Sequence, residues 1–544
     1  MAAKNHPAQT IQSCQRRGWQ LSMPLCFLKP KFYATIYVQY GMNARLSQKS
    51  RHRGWIIIGV IALWAILYLP HLRTSPAWYG DETLTLMIGK SLFQGEGADR
   101  ALLATFWHPH YPYQPGYAWV VGFASTFSGG DIYGARFFNC LLALVIALLI
   151  LIGGRRLFGT RPALVGALTF LSYEQSVIHF RWIYSHNAVA LGFLITVLCL
   201  LRKSVFRRDI LAGCGLALAA LSHPLFVHGS IAAWLCRIKR PISWFWLAFP
   251  PALALFTTLG WTLLRHVPLN WIFQDILTLS QFYGGYTQEN GSGWKVLKNI
   301  VEFYFQDAFH IGSLFSAVIC CRKKYYPIPI FLTVISVLLL QNRQNLTLFY
   351  YQAVVILPLL ALAYAGALNV IDVRLRLLFG RKSGWVFCVF VAIPLFLLFA
   401  SLLPSVTGNL RPRNEHWVTQ NCEEVEAVAK WINAHVCKRD MVVCHQNLGW
   451  LLECRTTDLI QVTAWSGRTT LTFEKNMDKE RFLYPADIGE SKYLVIGDID
   501  QRWTFGQKNV SWILDLIRSK KWKMVWQGPN YTIHENPRFT LKPE

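Results

Sequence analysis

Charge is scarce in this chain. Of 544 residues only 15% are Asp, Glu, Lys or Arg, while 53% are hydrophobic and mean hydropathy is +0.29. Such a composition excludes an intrinsically disordered chain and an ordinary soluble domain, and points to a polytopic membrane protein. Acids are scarcer still: 29 against 54 basic residues, a net charge of +25. In a soluble protein that balance would suggest nucleic acid. Here no basic stripe interleaved with base-stacking aromatics falls in a soluble segment, so nucleic acid is not expected as a partner. The 13 cysteines include no CxxC and no zinc-type spacing, which removes structural-zinc and thioredoxin-like readings.

What is present is a series of apolar runs. They begin near Gly54, Arg136, Ala163, Asn187, Ile210, Leu225, Trp244, Ile300, Pro327, Leu348 and Trp385. A bilayer needs roughly 20 apolar residues per helix, fewer where helices are broken. The expected fold is therefore an α-helical polytopic membrane protein of about eleven spans. The fifth and sixth runs are short and meet at Ser222-His223-Pro224, where proline breaks the helix. Alternate short loops hold Arg155/Arg156/Arg161, Arg202/Lys203/Arg207/Arg208, Arg237/Lys239/Arg240, Arg322/Lys323/Lys324 and Arg374/Arg376/Arg381/Lys382. The positive-inside rule makes that set cytoplasmic. Arg45 to Arg53 agrees, so the N-terminus is expected in the cytoplasm and the tail outside, across a bacterial inner (plasma) membrane. Residues 1–53 read as a cytoplasmic segment. Within it 1–41 carries neither signal-peptide nor domain pattern, and Met42 is the more natural start.

Past the last run the pattern turns soluble. Residues 405–544 read as a small C-terminal α/β extracytoplasmic domain, following a membrane domain at 54–404. Glu423 to Ala434 and Val510 to Arg518 have helical periodicity; Met441–Cys444, Tyr493–Ile496, Trp522–Gln527 and Tyr531–His534 read as strands. No glycine-rich phosphate loop or nucleophile elbow occurs there, so support or acceptor recognition is expected rather than catalysis. Cys422, Cys437, Cys444 and Cys454 lie in this tail, where an oxidising compartment would permit disulfides.

Between the first two runs, residues 71–135 form a loop too long for a connector. It opens with Trp78-Tyr79-Gly80-Asp81-Glu82, an acidic pair at the exit of a membrane helix, where ionisable groups are costly and often functional. Leu84, Met87, Ile88 and Leu92 then recur at helical spacing. Asp81 as N-cap and Glu82 as a first-turn acid would account for both residues structurally, and a cap would also fix a catalytic carboxylate. Farther on, His108 and His110 are candidate substrate or metal ligands, though an HxH in a loop is weak evidence. Tyr117 to Phe127 reads as a helix lying along the outer surface.

The ordered series of short motifs resembles the GT-C glycosyltransferases, in the branch of protein O-mannosyltransferases (dolichyl-phosphate-mannose-protein mannosyltransferase-like) and lipid A aminoarabinose transferases. Tyr79-Gly80-Asp81-Glu82 matches that branch's acidic motif. His108-Pro109 with Pro115-Gly116-Tyr117 is similar to its His-Pro-Pro-Leu segment. Gly134-Ala135-Arg136 leading to Gly154-Arg155-Arg156-Leu157-Phe158-Gly159 matches its second span. His179-Phe180-Arg181-Trp182 and Leu221-Ser222-His223-Pro224 match two later stretches. The second proline of the first of these is His110 here, and the second arginine expected after Arg181 is missing.

The resemblance implies transfer of a sugar from a polyprenyl-phosphate carrier to an acceptor hydroxyl outside the membrane, with inversion. That chemistry needs a base and a cationic seat for the departing phosphate. Asp81 is the expected base, with Glu82 orienting it or contacting the acceptor. Arg343 in the Gln341–Asn345 loop is the expected phosphate ligand, with Arg181, Tyr350 and Tyr351 as further candidates. Glu174, near the outer surface, fits an ion pair with Arg181, a second acid or a metal ligand. No sequence feature demands a divalent metal, and the resemblance leaves one open. Expected partners are the lipid-linked donor, an acceptor of unknown kind and membrane lipids. The competing class, a transporter or flippase of a lipid-linked substrate, explains the broken helices but predicts repeats between halves that are not found.

Overall fold

The computed structural model describes residues 54–94, 115–202, 206–264, 268–271, 273, 293–321, 325–340, 352–379, 384–412, 419–470, 473, 475–482, 484–506 and 509–540. The chain divides into two compact units, 1–59 and 60–544. Of the first, only the opening turns of helix α1 (Gly54–Tyr68) are described.

In the second unit each apolar run of the sequence is helical. Strand β1 (Trp78–Tyr79) and helices α2 (Glu82–Gln94) and α3 (Pro115–Thr126) make up the first long loop. Then come α4 (Ile132–Phe158), α5 (Thr160–Ser172), α6 (Glu174–Arg181), α7 (Ser185–Leu200), α8 (Phe206–Ala220), α9 (Phe226–Cys236) and α10 (Pro241–Leu264). The series closes with α11 (Gly293–Tyr304), α12 (Ala308–Ile319), α13 (Pro327–Leu340), α14 (Leu357–Phe379) and α15 (Gly384–Thr407).

Among the described residues three helices are long and apolar enough to cross a membrane alone: Ile132–Phe158, Pro241–Trp261 and Gln352–Arg374. The pair α6 and α7, bent by 120°, makes a fourth if counted as one span. The expected eleven is therefore not reached on length. Several runs are cut into shorter helices, as at Pro224 between α8 and α9, where proline has no N–H to continue the ladder.

Small residues set the closest helix crossings. Gly89 of α2 lies against Gly122 of α3, and Gly192 of α7 against Gly215 of α8; a Cβ at any of the four would overlap the partner backbone. The apolar face expected of α2 is present: Leu84, Met87 and Ile88 bury against Ala118 of α3, with Leu92 and Trp450 at the margin.

The tail carries a five-stranded mixed sheet. Its strands are β3 (Met441–Val443), β4 (Arg455–Thr457), β5 (Tyr493–Gly497), β6 (Lys523–Gln527) and β7 (Tyr531–Glu535), in the order β4-β3-β5-β7-β6. Strand β3 runs parallel to β4 and β5, while β7 is antiparallel to β5 and β6. One face is covered by α18 (Leu459–Trp465) and α20 (Trp512–Ser519), through Leu459, Val462, Val510 and Ile513. Helix α16 (Cys422–Asn433) has Asn421 as its cap, accepting from Glu423 N at 2.9 Å. Cys422, Cys437, Cys444 and Cys454 are all free thiols in this structure, and only Cys437 is exposed.

A two-residue strand, β2 (Thr419–Gln420), pairs antiparallel with β1, placing Trp78 opposite Gln420 and Tyr79 opposite Thr419. Residues more than 300 positions apart thus share one ladder. The acidic motif sits at that join.

Candidate active site

Asp81 immediately precedes α2, and its carbonyl accepts the helix's opening bond from Thr85 N at 3.2 Å. It therefore occupies the cap position that the sequence suggested. Solvent reaches its carboxylate, yet surrounding protein is dense enough for burial to be the main influence on its acidity. Burial raises its pKa above the usual carboxylate range, and a hydrogen bond from Gln446 acts in the opposite direction. Gln446 Nε2 donates to Asp81 Oδ1 at 3.1 Å and to the Gly80 carbonyl. Among the described residues Oδ2 has no side-chain or backbone donor.

Glu82, one residue on, is in the opposite situation. Its side chain and that of Arg136 both have 0% exposure. Arg136 Nε donates to Oε1 at 2.9 Å and Nη2 to Oε2 at 2.6 Å, a bidentate fork. Two backbone groups complete the shell: Tyr79 N donates to Oε2 at 2.9 Å and Ile183 N to Oε1 at 2.8 Å. Ile183 lies in the break between α6 and α7, where the bend frees an N–H from any helical partner; the carboxylate satisfies it. Of the two expected roles for Glu82, contact with an acceptor is closed to a carboxylate so enclosed. The other, orienting Asp81, is left to it through the loop that it holds.

Arg136 also donates from Nη1 to the carbonyls of Leu72 and Pro76, 3.0 Å each. The segment between α1 and β1 is thus wrapped around one guanidinium. Trp182 Nε1 ties in Ala77 O at 3.0 Å, and Arg73 bridges Asp131 (2.9 Å) and Glu426 (2.5 Å). On the tail side, α17 (Gln446–Gly449) supplies Asn447 as well as Gln446. With its nitrogen turned inward, the Asn447 amide lies 3.2 Å from the Tyr79 and Gly80 carbonyls and 2.8 Å from Thr83 Oγ1. Aromatic packing continues from Tyr79 to Trp182 (5.1 Å between rings) and Tyr184 (5.7 Å). From there Tyr184 stacks on His186, and His186 meets His223, each at 4.2 Å.

The remaining expected residues separate into two groups. Arg181 is fully buried; its Nε donates to Tyr68 O at 3.0 Å and its Nη2 to Pro70 O. Its expected ion pair with Glu174 is not formed, since seven residues of helix α6 put the two side chains about 10 Å apart along the axis. Arg343, Tyr350, Tyr351, His108 and His110 lie outside the described residues. No group of three His, Cys, Asp or Glu among the described residues could hold a metal ion. Gln446 and Asn447 were not anticipated: two amides in a tail loop carry no local pattern. Arg136 stood inside a matched motif without being given a role.

No family model matches the sequence, and no curated protein sequence matches it significantly. Solved structures do. ArnT from Cupriavidus metallidurans in the apo state aligns with a TM-score of 0.54 at 15% identity, over 91% of this chain and 100% of that one. The same protein bound to undecaprenyl phosphate gives 0.59 at 15%, over 90% and 99%. The chain shares the overall fold of these two ArnT structures.

Proposed function

We propose that this GT-C-fold chain is a membrane glycosyltransferase that moves a sugar from a polyprenyl-phosphate carrier to an acceptor hydroxyl, with Asp81 as the general base. The observation that carries the reading is the contrast within the acidic pair. Glu82 is enclosed and fully bonded, while Asp81, reached by solvent, keeps an oxygen with no donor among the described residues. The fold supports it, because an ArnT structure with this architecture holds undecaprenyl phosphate.

In this mechanism Asp81 Oδ2 takes the proton of the acceptor hydroxyl as its oxygen attacks the anomeric carbon. The new C–O bond forms on the face opposite the leaving group, so the centre inverts. The bond to phosphate breaks, and the lipid phosphate departs with the electron pair. A carboxylate whose basicity is raised by burial suits this work better than a fully solvated one. Stabilisation of the leaving phosphate is assigned to Arg343, with Tyr350 and Tyr351 as further candidates; Arg181, committed to backbone carbonyls, stays structural. The helical runs are read as eleven spans, full-length and broken, with the N-terminus in the cytoplasm. Asp81 and the sheet then lie outside a bacterial inner membrane.

The test is sugar transfer from a polyprenyl-phosphate donor pool in membranes, wild type against Asp81→Asn at matched protein levels. The amide keeps the size and an oxygen that can still accept from Gln446, but it takes no proton. Transfer lost with folding intact supports the base. Full transfer by the variant would overturn it, and movement of lipid-linked sugar across the bilayer without transfer would favour the flippase class.

A further inference from the structure

The contact between the tail and the acidic motif is aimed at one atom. Gln446 opens α17 at the carboxyl end of β3, where the chain turns out of the three parallel strands. His445 caps that turn, its Nδ1 accepting from Asn447 N at 3.3 Å. Both groups touched by the Gln446 amide, the Gly80 carbonyl and Asp81 Oδ1, are pure acceptors, so its NH2 end must face them. Its two protons therefore join backbone and carboxylate of the same loop. Asn447 fixes the flanking carbonyls from the same short helix.

We propose that Gln446 is a positioning residue for the reaction, holding Asp81 by Oδ1 so that Oδ2 is the oxygen offered to the acceptor hydroxyl. The inference rests on Asp81 being the base. It gives the sheet-bearing tail a direct part in the chemistry. A free carboxylate would rotate about its terminal torsion, which is broad for Asp. One neutral donor on one oxygen removes that freedom while leaving the group basic. A lysine at the same place would hold the carboxylate ionised and weaken it as a base, and a glutamate would repel it. Among the described residues, the other ionisable groups near this loop leave the field to Gln446. Glu82 and Arg136 neutralise each other, and Lys90 on α2 lies over Trp450 at 5.9 Å. His445, whose pKa burial lowers to about 4, is uncharged at neutral pH.

The experiment compares wild type, Gln446→Leu, Gln446→Glu and Asp81→Asn as full chains in membranes, with sugar transfer measured from pH 4 to 9. In Gln446→Leu, kcat is expected to fall on the order of 10- to 100-fold, and the acid limb of the profile to move to higher pH. KM for the lipid donor is expected to stay unchanged. Gln446→Glu moves the limb the same way, and it is read alone if the leucine variant does not accumulate. An unmoved limb overturns the proposal, whether kcat is retained or falls only with the amount of folded protein. An active Asp81→Asn overturns the base itself, and so separates that failure from failure of Gln446 alone.

Discussion

Replacing Glu82 with glutamine separates a structural acid from a chemical one. The native carboxylate receives four donors: two from Arg136, one from Tyr79 N and one from Ile183 N. Glutamine can still accept at one oxygen, but its NH2 then faces either Tyr79 N–H and Arg136 Nη2 or Ile183 N–H and Arg136 Nε. Donor meets donor, and a buried guanidinium loses its counter-charge. Breaking one partner of a buried pair costs about 3–5 kcal/mol, because the remaining charge stays desolvated. Arg136→Met should lie at the upper end of that range, since the carbonyls of Leu72 and Pro76 also lose their donor. The double variant Glu82→Leu/Arg136→Met removes both charges and is expected to recover part of the loss, with a coupling of about 2 kcal/mol. Recovery is incomplete because the Tyr79 and Ile183 N–H groups stay unbonded. The assay is thermal unfolding of the purified protein in detergent at two scan rates, paired with sugar transfer on the same samples. Single variants should melt on the order of 5 °C lower. If Glu82→Gln melts with wild type yet transfers no sugar, Glu82 acts on substrate and its assignment to the scaffold is wrong.

Three further outcomes follow from particular contacts. Gly122→Ala drives a Cβ into the backbone of Gly89 and should destabilise by about 1–3 kcal/mol. Gly312→Ala, on α12 with open space around it, should be neutral or stabilising by at most about 1 kcal/mol, and melting of the two variants side by side checks both. In the sheet, burial lifts the pKa of Asp500 to about 7 and that of Asp458 to about 6. Both values are raised above the unfolded carboxylate, so their contribution is fully present below about pH 4 and lost as pH rises through about 6 to 7. The β5 amide protons should show higher protection factors, corrected for intrinsic exchange, at pH 5.5 than at pH 8. Asp500→Asn should flatten that dependence, and a difference unchanged by the substitution would place its origin elsewhere.

Much of the fold was legible because periodicity reports packing directly. The face of α2, the cap at Asp81 and four of the sheet strands were readable, since each is built from residues adjacent in sequence. Strand β4 escaped notice: Arg455-Thr456-Thr457 has no apolar signal, and its two threonines are buried by the neighbouring β3 and α18 rather than by their own character. Strands β1 and β2 are two residues each, too short for any period to register. The number of membrane spans was harder to read. Hydropathy counts apolar runs, whereas the chain cuts several of them at breaks whose freed N–H groups are satisfied elsewhere, as Glu82 does for Ile183.

The site was half visible for a related reason. An acidic pair at a helix start is conspicuous, but sequence alone cannot say which member faces solvent. A cap and a first-turn acid differ by about 100° of helical rotation. Here that rotation turns Glu82 toward α4 and the break before α7, and leaves Asp81 on the solvent side. Arg136 makes the assignment, because its buried guanidinium takes Glu82 as its acid partner among the described residues. The partner on the other side, Gln446, lies 365 positions away. A pairing so distant leaves no trace in local pattern, and the β1–β2 ladder is one of the contacts that draw the tail onto the first loop, with the Arg73–Glu426 pair and Asn447. Loss of that ladder should therefore loosen the hold on Asp81. Tyr79→Pro, which removes the N–H bonded to Glu82 from within β1, is expected to lower transfer while leaving the tail sheet folded. Retained transfer in that variant, with the sheet intact by hydrogen exchange, would show that the carboxylate is held by α2 alone.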